Sequence, residues 1–202
     1  GSESTTPSRT ADLVALAKPR LNMLVVVSAV AGYVMASGDT RDVWRLLYMV
    51  VGTALVAGGA SAFNQIIERK PDALMQRTRL RPMPDGRVPT RDAWVYGSVL
   101  TIAGLAILAF GANLLSAIVA LLTVASYAVV YTPLKRYSSF STVIGAIPGA
   151  LPPVIGWAAA LDELSQGAWV LFGIVFLWQL PHFLAIAWMY REDYARAGFP
   201  ML

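Results

Sequence analysis

The sequence predicts an all-α, polytopic transmembrane helix bundle of six helices, and three observations predict it. The composition is 56% hydrophobic and only 14% charged, with a mean hydropathy of +0.57, whereas soluble domains carry about 25% charged residues. Apolar runs recur at Leu21 to Ser37, Leu46 to Ile67, Ala93 to Gly111, Leu114 to Tyr131, Thr142 to Ala160 and Ala168 to Tyr190. Each is about 17 to 23 residues, enough to cross ~30 Å of hydrocarbon at ~1.5 Å per residue. None shows the strict alternation of barrel strands. A segment in lipid must satisfy its own backbone groups, which leaves helices.

Ahead of the first run, Gly1-Ser2 reads as a cloning remnant, and residues 1–17 as a flexible polar leader to a membrane domain over 18–202. Lysine and arginine then fix the orientation. With the N-terminus inside, fourteen of these cations lie in the inside segments, and Arg41 and Arg45 alone lie outside. That bias places the N-terminus and the loops after the second, fourth and sixth helices on the cytoplasmic or matrix side. The third and fourth helices turn through Gly111 to Asn113, and the fifth and sixth through the acidic stretch Leu161 to Gly167. The connection from Glu68 to Asp92 is too polar to be buried and too long for a simple turn. Connections of that size are usually functional or disordered. In the fifth run, Gly145, Pro148, Gly149, Pro152, Pro153 and Gly156 predict a kinked or interrupted helix, a feature that transporters share.

The formal charge of +4 and the pI near 9.6 follow from basic inside loops, so no nucleic-acid partner is expected and the lipid bilayer is the solvent. The absence of cysteine excludes disulfides and thiolate metal sites. Any metal is then held by oxygen or by the single histidine, which favours a hard cation such as Mg²⁺.

Ionisable residues at the helix ends carry the chemistry, because charge at membrane depth is expensive and tends to be kept for function. Asn64, Glu68 and Asp72 stand at i, i+4 and i+8, where each step turns only ~40°, so their oxygens form one stripe. Such a stripe suits Mg²⁺, which keeps positions open for water and substrate phosphate. Pro71 works against a continuous helix and predicts Asp72 past its end. The bland alternative is the first polar turn of a solvated loop. Arg77, Arg79 and Arg81 follow, with forks that match phosphate oxygens, although a positive-inside anchor would look the same. On the same side come Tyr131, Lys135 and Arg136 after the fourth helix, and Tyr190 to Tyr194, with Glu192 and Asp193, after the sixth. Acids and bases around a lipidic cavity are what an amphipathic diphosphate needs. His182 lies about two turns into the membrane from Asp193, where a lone histidine is more often a structural hydrogen-bonding residue than a ligand.

These strings resemble the UbiA-type intramembrane prenyltransferases, from Lys18 onward over nearly the whole chain. The resemblance rests on Lys18-Pro19-Arg20, on Asn64 to Asp72 with Met75 to Pro82, on Tyr131 to Arg136 and on Gly149 to Trp157. Trp178 to Phe183, Arg191 to Tyr194 and Gly198 to Leu202 point within that family to the heme-prenylating branch. The resemblance implies that farnesyl diphosphate ionises and that the 2-vinyl group of heme B captures the allylic cation, with water completing the product. It implies Mg²⁺ and diphosphate on Asn64, Glu68 and Asp72, with a second acidic site at Asp193 and Glu192. It further implies leaving-group neutralisation by Arg77, Arg81, Lys135 and Arg136, Tyr131 beside the diphosphate, a heme contact at His182 and a downstream heme-modifying membrane enzyme as partner. Two features depart from the family pattern: Glu68 stands where Asp is commoner, and members continue past the position of Leu202 into further membrane helices, so the chain is expected to be C-terminally incomplete. The rival readings are a quinone-precursor or other aromatic acceptor at the same diphosphate site, and a transporter. The acids at helix ends rather than near the midplane weigh against a transporter.

Overall fold

Six helices long and apolar enough to cross a membrane run through the computed structural model, which describes residues 8–39, 42–135, 137–138 and 140–200. Their ends lie within three residues of the predicted runs. Arg9–Leu16, expected within a flexible leader, instead forms helix α1, capped by the Ser8 hydroxyl, which accepts from the Ala11 N–H. Its amphipathic residues explain the order: Leu16 packs in an apolar cluster with Ala62, Met83, Val88 and Ala93, while buried Asp12 pairs with Arg87 at 3.2 Å.

Helix α2 (Pro19–Ser37) starts on a proline, whose missing N–H is harmless at that position. Helix α3 (Val43–Ile67) is capped by Asp42, whose carboxylate accepts from the N–H groups of Trp44 and Arg45. After Glu68 the chain resumes as short helix α4 (Arg69–Leu74). Pro71 sits in its first turn, where no donor is needed, so Asp72 lies on a helix and not beyond one. Helix α5 (Thr90–Ile107) runs into a π turn, Leu108–Ala112. Helix α6 (Leu114–Ala125), capped by Asn113, continues through a second π turn, Ser126–Tyr131, into α7 (Thr132–Leu134). The proline-rich span divides into α8 (Ser141–Ala150) and α9 (Pro152–Leu161). The break falls at Leu151 because Pro152 and Pro153 have no N–H for the carbonyls of Pro148 and Gly149. Helix α10 (Gln166–Met189) is the sixth span, and α11 (Arg191–Arg196) turns off its end.

Lipid gives helices no hydrophobic reason to associate, so contact depends on how closely backbones approach. Small residues provide that approach. A Cβ at Gly32 of α2 would overlap the Pro153 carbonyl, and one at Gly156 of α9 would overlap the Ala29 carbonyl, so α2 and α9 touch backbone to backbone. Gly52 and Gly104 do the same for α3 and α5, and Gly59 lies against Gly97 and Thr101. Around these crossings Tyr33, Met49, Leu108, Val154 and Ile155 fill the core.

The connection after α4 is packed, contrary to its polar composition. Met75, Thr78, Met83 and Val88 are buried, and the Thr78 hydroxyl donates to the Asp72 carbonyl at 2.8 Å. Apolar residues spaced among the arginines hold the segment against the bundle end and α1. The arginines therefore occupy fixed places.

Gly156→Leu is expected to lower stability by about 3 kcal/mol or more, because the backbone contact with α2 leaves no room for repacking. Gly173→Leu, at a position with open space around its Cβ, is expected to change little. Thermal unfolding in detergent measures both.

Candidate functional site

Between α3, α4 and α7 lies a cavity of about 120 Å³ lined by Lys18, Asn64, Glu68, Asp72, Met75, Arg77, Arg81, Tyr127, Tyr131 and Lys135. The stripe persists across the α3–α4 junction because the helical bonds continue: the Glu68 N–H reaches the Asn64 carbonyl at 2.9 Å and the Asp72 N–H the Glu68 carbonyl at 2.8 Å. All three side chains are buried. Each receives a cation from a different part of the chain. Lys18 Nζ donates to Asn64 Oδ1 at 2.9 Å, Lys135 Nζ to Glu68 Oε1 at 3.3 Å, and Arg81 Nη1 to Asp72 Oδ2 at 2.8 Å.

Burial raises the Asp72 carboxyl pKa above its ordinary value against the pull of Arg81, and Glu68 adds to the rise. A carboxyl raised in the folded state favours folding at low pH and loses that contribution as it ionises, so its charge is held at a cost to stability. Lys18 is lowered to about 8, first by burial and then by Arg81. A depressed ammonium favours folding above its unfolded pKa and loses that contribution as pH falls through about 8. At neutral pH both groups therefore strain the fold, as charged residues kept for function do. Burial also works to lower Lys135, but Glu68 outweighs it with Tyr131 and Tyr194, and the net direction is upward. The two lysines diverge because Lys135 has a carboxylate partner and Lys18 only an amide oxygen.

Four cations line the cavity against two carboxylates, an excess that suits a polyanion. Asp72 Oδ1 is buried with no hydrogen-bond partner. An oxygen left unpaired in that setting is costly unless a donor or cation takes it up. Together with Asn64 Oδ1 and the Glu68 carboxylate it forms an oxygen-only donor set that fits Mg²⁺. Among the described residues no three His, Cys, Asp or Glu side chains are grouped to hold a metal alone. Mg²⁺ here would draw its remaining ligands from phosphate and water.

The wall toward the membrane is aromatic. Tyr127 and Tyr131 stack with ring centroids 5.7 Å apart, and Gly145 of α8 leaves the room that the Tyr131 ring occupies. The π turn places both rings and Lys135 on the cavity, and the Thr132 hydroxyl steadies it by donating to the Tyr127 carbonyl at 2.8 Å. Arg77 lies over the Tyr190 ring at 4.6 Å. Lys135 lies over Phe199 at 4.7 Å and over Tyr194 at 5.3 Å.

Asp193 accepts the N–H groups of Gln76 and Arg77, each at 3.4 Å, and pairs with Arg196 at 3.3 Å. It anchors the segment that carries Arg77. With exposed Glu192 it lines a neighbouring hollow shared with Gln76, Tyr190 and Arg191. The two acidic groups are thus adjacent, separated by the chain at Gln76 and Arg77. His182 is exposed on α10 and stacked on Trp178 at 5.3 Å, and it does not line the acidic cavity. Arg79 is also exposed and outside the cavity. Arg136 lies outside the described residues, as do Met201 and Leu202.

Lys18 and Tyr127 are the lining residues that the spacing arguments do not single out. For Tyr127 the signal is present, since it stands one turn before Tyr131. For Lys18 it is a basic residue before a proline at the mouth of a span.

The sequence matches the UbiA prenyltransferase family over residues 25–202. It is 48% identical over 200 residues to the protoheme IX farnesyltransferase of Solibacter usitatus, covering 95% of this chain and 68% of the relative. The protoheme IX farnesyltransferase of Opitutus terrae is 47% identical over 202 residues, covering 98% and 68%. Among solved structures, digeranylgeranylglyceryl phosphate synthase matches with a TM-score of 0.79 at 18% identity, over 95% of this chain and 67% of that one. A UbiA homologue from Archaeoglobus fulgidus bound to GPP and Mg²⁺ matches with a TM-score of 0.72 at 16% identity, over 93% and 66%. The chain thus spans about two thirds of the length of the proteins it matches. Sequence and fold agree that this chain belongs to the UbiA prenyltransferase family.

Proposed function

We propose that this chain is the membrane-embedded prenyl-transfer domain, over residues 18–202, of a protoheme IX farnesyltransferase, which moves the farnesyl group of farnesyl diphosphate to the 2-vinyl group of heme B and yields heme O. The acceptor follows from the two relatives near half identity, both protoheme IX farnesyltransferases. The single observation that carries the donor half is the cavity itself, where three buried acid or amide oxygens and four cations meet an aromatic wall at a membrane rim. That combination suits a diphosphate head and an apolar tail.

The chemistry needs the departing diphosphate's charge neutralised while the allylic cation is kept from water. Lys18, Arg77, Arg81 and Lys135 would grip the phosphate oxygens, and Arg136 is a further candidate of the same kind. Asn64, Glu68 and Asp72 would hold Mg²⁺, which supplies Lewis-acid stabilisation of the leaving group. Glu192 and Asp193 offer a second acidic group, with Asp193 fixing the backbone that aims Arg77. Tyr127 and Tyr131 close the cavity toward the bilayer and present π faces near the developing cation. The excess of basic residues in the segments around the cavity supports its placement on the cytoplasmic or matrix side, in a bacterial cytoplasmic or mitochondrial inner membrane. His182, stacked on Trp178, offers an aromatic edge for the heme acceptor, and a downstream heme-modifying enzyme in the same membrane would take the apolar product.

Full-length protein in detergent is expected to convert heme B, and not an aromatic acid, when given labelled farnesyl diphosphate. Transfer to the aromatic acid alone would overturn the acceptor. Asp72→Asn and Glu68→Gln are each expected to lower kcat/KM at least ~100-fold with the fold intact by circular dichroism. Near-normal turnover in both would remove the carboxylates from the reaction. The pH profile of kcat/KM for farnesyl diphosphate is expected to fall as pH rises through about 8, where Lys18 loses its proton. Lys18→Arg should flatten that limb, since guanidinium stays charged.

A further inference from the structure

We infer that Gln65, a residue outside the cavity, is a positioning residue that sets the Lys18 ammonium at the diphosphate site. Asn64 and Gln65 are neighbours on α3 and point about 100° apart. Asn64 faces the cavity and receives Lys18 Nζ at 2.9 Å. Gln65 faces α1, where its amide nitrogen donates to the Leu16 carbonyl at 3.0 Å and to the Ala15 carbonyl at 3.4 Å. One turn of α3 thus grips the Ala15 to Lys18 segment at both ends, the backbone by Gln65 and the ammonium by Asn64.

The segment needs that grip. Lys18 adopts φ 47°, ψ 58°, the left-handed region that side chains disfavour, and it precedes a proline, which further restricts it. Asn22 adds a bond to the Ala17 carbonyl and is itself held by Ser61. Left alone, such a turn would relax and swing the long lysine side chain away from the cavity. Gln65 is 1% exposed, and its Oε1 has no partner. The amide cannot turn over to satisfy that oxygen, because Oε1 would then face two carbonyls. A core residue chosen for stability alone would be apolar here, as an unpaired buried oxygen is a standing penalty. What the polar end of Gln65 accomplishes is to hold two carbonyls of the strap that carries Lys18.

The inference rests on reading the cavity as a diphosphate site, and a double-mutant cycle separates the two. Binding of inorganic pyrophosphate with Mg²⁺ is measured by calorimetry on full-length protein, alongside kcat/KM for farnesyl diphosphate. Lys18→Met is expected to weaken binding about tenfold and Gln65→Met about fivefold, while the double variant binds no worse than Lys18→Met alone. Gln65→Met should unfold at or above the wild-type temperature. Gln65→Asn, which keeps an amide but falls one methylene short, should repeat the loss and the non-additivity. Losses that multiply, or wild-type binding in both Gln65 variants, would overturn the positioning role and leave the diphosphate reading intact. Wild-type protein that binds no pyrophosphate would overturn the diphosphate reading, and this inference with it.

Discussion

Everything at the site depends on making buried carboxylates tolerable at a membrane rim. An isolated carboxylate there would take up a proton and cease to be useful. The structure answers with a cation for each oxygen of the Asn64, Glu68 and Asp72 stripe, brought from three distant parts of the chain. These ion pairs therefore also act as tertiary links, joining the α1–α2 junction, the segment after α4 and the end of α7 to α3 and α4. Folding of the bundle end and assembly of the site are one event.

The rest of the bundle supplies the rigidity this requires. Glycines let α2 meet α9 and α3 meet α5 at backbone distance, which fixes helix ends more firmly than side-chain packing in lipid would. The proline break between α8 and α9 lies on α2 at the same crossing, so the exposed carbonyls it creates are sheltered inside the bundle.

Much of this was legible in the sequence, and the reasons are physical. Span length follows from bilayer thickness, so all six spans were located within a few residues. The stripe was legible because i, i+4 spacing survives a short helix break, and the family membership because the motifs are long and ordered. What could not be read is tertiary. Nothing in local pattern says that Lys18 leaves the N-terminal segment to reach Asn64. Nor does it show that buried methionines fold the arginine-rich connection into a packed lid over α1, because polarity alone argued for a solvated loop. Asp193 reads as an acid among acids, whereas in the fold its oxygens meet the backbone of Gln76 and Arg77. His182 reads as a buried ligand candidate, yet it stands on the open face of α10.

The π turn at Ser126–Tyr131 makes the spacing of the fourth span a strict requirement. A wider turn accommodates one residue more than an α turn would, so the register of Lys135 with Glu68 depends on that extra residue being there. Loss of a single residue within the turn would let the coil tighten and rotate all that follows by about 100°. The ammonium would then leave its carboxylate even though every chemical group of the site remained. Insertions and deletions in this stretch are thus far more damaging than substitutions of similar volume, and homologous chains should keep its length even where they change its residues.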